Sequence, residues 1–72
     1  MDISVEFGVR VRKFREKKSW SQEDLAEHSG LHRTYISGVE RGVRNPTLEV
    51  VAKLAIALDV TPSILLDFLG EC

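Results

Sequence analysis

An all-α fold, a compact bundle of about five short helices, is predicted by three features of the sequence. Apolar residues recur at spacings of three and four along most of the chain. Helix-cap signatures occur at Ser21, Thr47 and Thr61, and no segment alternates apolar and polar residues long enough to make a strand. With 72 residues, the chain holds one domain with one small core, and residues 1–72 are read as a single unit.

Ile3, Phe7, Val11 and Phe14 stripe one face of a first helix, from about residue 4 to residue 17. Ser21 caps a second helix and Asp24 returns the capping-box bond, with Trp20 placed to staple onto Leu25. This short helix ends near His28, and Gly30 suits the left-handed position beyond it. A third helix spans residues 32–40, with Tyr35, Ile36 and Val39 apolar and Gly42 just past its end. Residues 42–46 form a polar loop. Thr47 then caps a fourth helix whose Leu48, Val51, Leu54, Ala55 and Leu58 are expected to form the core wall. Thr61 and Pro62 open a fifth helix, expected to run through Ile64, Leu65 and Phe68 to Gly70.

Composition excludes several classes of function. At 43% hydrophobic and 29% charged, the chain has the balance of a globular domain. No apolar run is long enough to span a bilayer, and the N-terminus lacks the pattern of a secretory signal, so a cytoplasmic protein is expected. The single cysteine, Cys72, forms no disulfide framework and is read as an incidental thiol. His28 and His32 are four apart, but Gly30 interrupts the helix between them, so no metal site is expected. There is no glycine-rich phosphate loop and no nucleophile with triad partners. No catalytic residue, enzyme activity or cofactor is therefore predicted.

The net charge of −1 is unevenly distributed. Residues 1–18 carry six basic and three acidic groups, residues 19–46 three and four, and residues 47–72 one and four. A basic front and an acidic back suit a chain that turns one face to phosphate. Arg10, Arg12, Lys13, Lys17 and Lys18 serve solubility as readily as phosphate contact.

The informative stretch is QEDLAEHSGLHRTYISGVERG, residues 22–42. Two helices can cross steeply over a tight turn if the first has a small residue at the crossing and the turn has one that accepts positive φ. Ala26 and Gly30 fill those roles, and Leu31 plugs the turn. Ile36 and Val39 face inward, which leaves the opposite side of the third helix free.

These residues, continued by ERGVRNPTLEVVAKLAIALDV, resemble the helix-turn-helix domains of the lambda-repressor and Cro type, the XRE family. The segment HRTYISGVERGVRNPTLEVV is most similar to the controller proteins of restriction-modification systems. The resemblance implies a helix-turn-helix at residues 22–41 and a third helix in the DNA major groove. Arg33, Thr34 and Ser37 would then read bases, Arg33 through a fork to guanine O6 and N7. Gln22, His32, Tyr35, Arg41, Arg44 and Asn45 would contact the DNA backbone. Gly38 lacks the side chain that many relatives place in the groove, so readout at the far end of the helix is either weakened or shifted onto DNA shape. Arg15 and Glu40 stand where the family holds an ion pair linking the first and third helices.

One reading helix covers only a few base pairs, so a homodimer on a palindromic operator is expected, with half-sites about 34 Å apart. Residues 46–69 are the expected dimerisation region, with Ile64, Leu65 and Phe68 as candidate interface residues. The alternative that these residues close the monomer core stands open. Operator placement would decide between repression and activation, and activation would make RNA polymerase a further partner. The competing reading is an antitoxin or adaptor that grips another protein and binds DNA secondarily.

Overall fold

In the computed structural model, which describes residues 2–69, the chain forms five α-helices: α1 (Ile3–Lys17), α2 (Gln22–Ser29), α3 (Arg33–Glu40), α4 (Leu48–Leu58) and α5 (Pro62–Leu65). A 3₁₀ turn follows at Asp67–Leu69, and no strand occurs among the described residues. The starts of α1, α2, α4 and α5 follow from side-chain caps that satisfy N–H groups the helix leaves unpaired. Asp2 accepts from Ser4 and Val5, Thr47 from Val50, and Thr61 from Ile64. The predicted capping box is complete: the Asp24 N–H donates to Ser21 Oγ at 3.1 Å, and the Ser21 N–H donates to the Asp24 carboxylate at 2.8 Å. Gly30 closes α2 with a φ of 75°, the left-handed conformation expected there.

The core takes residues from every helix: Phe7 and Val11, Leu25, Ile36 and Val39, then Val51, Leu54, Ala55, Leu58 and Leu65. Each large apolar side chain fully buried this way contributes about 1.5–3 kcal/mol, against the entropy of ordering the chain. Phe14, Trp20, Ala26, Leu31 and Tyr35 pack around this centre while keeping some exposure. Helix α3 packs on α1 and α2, whereas α4 packs mainly on α2, and α5 on α4 and α1.

Three sequence expectations need correction. Leu48 is not part of the core wall: it is the first residue of α4 and stands 87% exposed. His32 is the N-cap of α3, with extended backbone, rather than a first-turn residue. The fifth helix stops at Leu65, where Leu66 leaves helical geometry, and the Arg10 guanidinium donates to the Ile64 carbonyl at 2.6 Å. Gly70, the expected end of that helix, and Cys72 lie outside the described residues.

Candidate nucleic-acid interface

The orientation of α3 is set from two sides. Arg15 on α1 donates through Nε and Nη2 to the two carboxylate oxygens of Glu40, at 2.6 and 2.9 Å. The Arg15 and Glu40 side chains retain only 11% and 4% exposure, so the expected ion pair is shielded from screening. Arg15 also donates to the Trp20 carbonyl at 2.7 Å, which ties in the turn before α2. The carboxylate holds the Arg15 guanidinium more firmly protonated than usual, outweighing the opposing effect of burial. From the other side, Gly8 brings α1 against the backbone of α3. A Cβ at Gly8 would collide with the Val39 carbonyl oxygen and lie 2.7 Å from that of Glu40. Sequence reasoning missed this glycine; its one signal is a glycine inside an otherwise regular helix.

This arrangement leaves one side of α3 free. Ile36 and Val39 are buried, while Arg33, Thr34 and Arg41 are exposed and Ser37 is half-exposed. At 3.6 residues per turn, positions 33, 34, 37 and 41 lie within an arc of about 100°, which makes them one face. The cap His32 makes no side-chain bond to the start of α3, in contrast to the caps of the other four α-helices.

The arginines fall into two sets. Arg10, Arg12 and Arg15 on α1 each have a carboxylate within 4 Å: Asp67 at 3.8 Å, Glu16 at 3.1 Å and Glu40 at 2.6 Å. Arg33, Arg41 and Arg44 have none among the described residues, and neither does His32. Arg44 instead lies over the ring of Tyr35, 5.5 Å from its centroid. Asn45 is tied to α1 by the Ser4 hydroxyl, which donates to its side-chain carbonyl.

Gln22 sits differently from the sequence expectation of an amide aimed at phosphate. Its Nε2 donates to Glu40 Oε1 at 3.1 Å, so the amide joins the Arg15–Glu40 cluster and keeps one N–H free of it. The candidate interface residues on the last helix also separate. Leu65 is fully buried and closes the monomer core, which removes it from any dimer contact, whereas Ile64 is exposed and Phe68 partly so. Among the described residues no group of three or more His, Cys, Asp or Glu could hold a metal.

A capped helix, a left-handed glycine and a second helix with an apolar inner side and a free, cationic outer side define a helix-turn-helix domain. The chain belongs to the helix-turn-helix family of the XRE type, which matches residues 11–65. Control protein C.BamHI of Bacillus amyloliquefaciens is 50% identical over 74 residues, covering 99% of this chain and 91% of that protein. The solved structure of the restriction-modification controller C.AhdI from Aeromonas hydrophila is 53% identical with a TM-score of 0.84, covering 86% of this chain and 94% of that one. A second controller, C.Esp1396I, was solved as a tetramer on its natural 35 base-pair operator. It is 34% identical with a TM-score of 0.86, covering 99% of this chain and 93% of that one.

Proposed function

We propose that this protein is a transcription regulator of the controller type, which binds a palindromic DNA operator as a homodimer and works in the cytoplasm. The observation that carries the reading is the division among the arginines. Those on α1 are engaged with carboxylates, whereas those on α3 and the loop after it are held exposed without a counter-ion among the described residues. Phosphates supply that counter-charge, and their binding releases condensed cations from DNA. Arg33, Thr34 and Ser37 read bases on this account, with Arg33 suited to a guanine edge. His32, Tyr35, Arg41, Arg44, Asn45 and the remaining N–H of Gln22 fix register on the backbone.

The dimer reading rests on apolar surface left uncovered by the fold. Leu48, Ala52 and Ile56 repeat every fourth residue along α4. Leu48 and Ile56 are 87% and 78% exposed, and Ile64 adds to the apolar surface from α5. A second copy covering this stripe would double the sequence read. Partners are accordingly operator DNA, a second copy and, where the operator lies beside a promoter, RNA polymerase. The test is titration of a duplex enriched from a random pool at two salt concentrations. Tight binding that weakens steeply with salt and is lost on a scrambled duplex supports the proposal. Equal, weak binding to both duplexes refutes it.

A further inference from the structure

Gly38 has no side chain, yet it is buried on the flank of the free face of α3, between Thr34 and Arg41. What covers it is Arg44. A Cβ at Gly38 would lie 2.7 Å from Arg44 Cγ and 3.2 Å from Arg44 Nε, so the arginine stem lies where a side chain of α3 would stand. The Val43 N–H donates to the Gly38 carbonyl at 3.0 Å, which pins the loop backbone at the same residue. Further out, the guanidinium lies over Tyr35. The loop arginine is therefore laid along the recognition helix by a glycine notch, a backbone bond and a ring. Its donors face no carboxylate among the described residues.

We infer that Gly38 is a positioning residue: it seats Arg44 so that this loop arginine contacts DNA beside position 38 of α3, where the helix itself offers no side chain. The inference rests on the DNA-binding reading above and deepens it. The target is a pair of acceptors in the duplex, either guanine O6 and N7 or two phosphate oxygens, both matched by the guanidinium fork. The seat also accounts for a glycine inside a helix, where alanine would ordinarily be more stable. Because the clash is with Cγ, any side chain at position 38 must swing the whole arginine away.

The test is a double-mutant cycle on the enriched duplex, with Gly38→Ala, Arg44→Ala and the double variant titrated beside the wild type, and thermal unfolding followed in parallel. Gly38→Ala is expected to hold or raise the unfolding midpoint while weakening binding by about tenfold. The double variant should bind no more weakly than Arg44→Ala alone. Loss of preference at one base position in Arg44→Ala identifies a guanine edge. A uniform loss with a salt slope lower by about one identifies phosphate. If Gly38→Ala unfolds early, the coupling is read from the difference between Tyr35→Phe, which keeps the ring under Arg44, and Tyr35→Leu, which removes it; that difference must vanish in the Arg44→Ala background. A Gly38→Ala protein that binds like the wild type, or a loss that persists without Arg44, overturns the seat. A wild type that prefers no sequence overturns the regulator reading and the seat with it.

Discussion

The Arg15 guanidinium and the Glu40 carboxylate meet through two hydrogen bonds, at 2.6 and 2.9 Å, in a nearly dry contact between α1 and the last residue of α3. The same carboxylate accepts from Gln22, so one acidic side chain links the first helix, the start of α2 and the end of α3. Removing one partner leaves the other charge buried and unpaired. Glu40→Ala is expected to cost about 3–5 kcal/mol in urea unfolding, and the paired apolar replacement Arg15→Met with Glu40→Leu less than that. A loss below about 1 kcal/mol would place the pair in the class of surface ion pairs.

Gly8 permits the close crossing of α1 and α3. Alanine is the better helix former, yet at Gly8 its methyl group would meet two carbonyl oxygens of α3 backbone, which cannot rotate away. Gly8→Ala should destabilise the fold by about 1–3 kcal/mol and, by shifting α3, weaken DNA binding. Chemical denaturation and titration of the same sample check both effects.

Ser19 adopts a φ of 59° in the turn between α1 and α2, a conformation strained for a residue with a Cβ. No hydrogen bond from its side chain offsets this among the described residues, and the residue is exposed. Ser19→Gly should therefore stabilise the protein by about 0.5–1 kcal/mol, the relief of the left-handed strain less the extra chain entropy of glycine. The midpoint of urea unfolding measures it.

The Asp24 carboxylate accepts from the Ser21 N–H and lies near Ser21 Oγ, and these bonds hold it below the usual carboxylate range. A depressed folded-state pKa contributes stability above the unfolded value, about 3.9 for Asp, and that contribution is lost as pH falls through the folded value. An asparagine in its place would keep an oxygen for the Ser21 N–H but would not titrate. Asp24→Asn should flatten the acid limb of stability against pH, most clearly below about pH 4. An unchanged limb would show that the capping box carries none of the acid sensitivity.

What the sequence made legible was chiefly local. Ser21 with Asp24, Thr47, Thr61 with Pro62, and Gly30 act within one turn of chain, so their spacing alone announces the caps they form. The Arg15–Glu40 pair, 25 residues apart, was legible only through the resemblance to known domains. What stayed hidden depends on how helices meet. The Gly8 contact exists only at the α1–α3 crossing. The Ile64 carbonyl at the end of α5 is bonded by Arg10 from another helix, and Leu48 has helical spacing but sits where α4 leaves the core. The packing at Gly38 stayed hidden for the same reason: the Arg44 stem that lies over it comes from the loop.

The central claim, that the free face of α3 reads sequence, is tested most directly by selecting binding sites from random duplexes with the wild type and with Arg33→Ala in parallel. The wild type is expected to enrich a palindrome, and the variant the same palindrome with the preference for guanine relaxed at one symmetric pair of positions. An identical enriched sequence from both proteins would contradict base reading by this face, and enrichment of nothing by the wild type would contradict the proposed function.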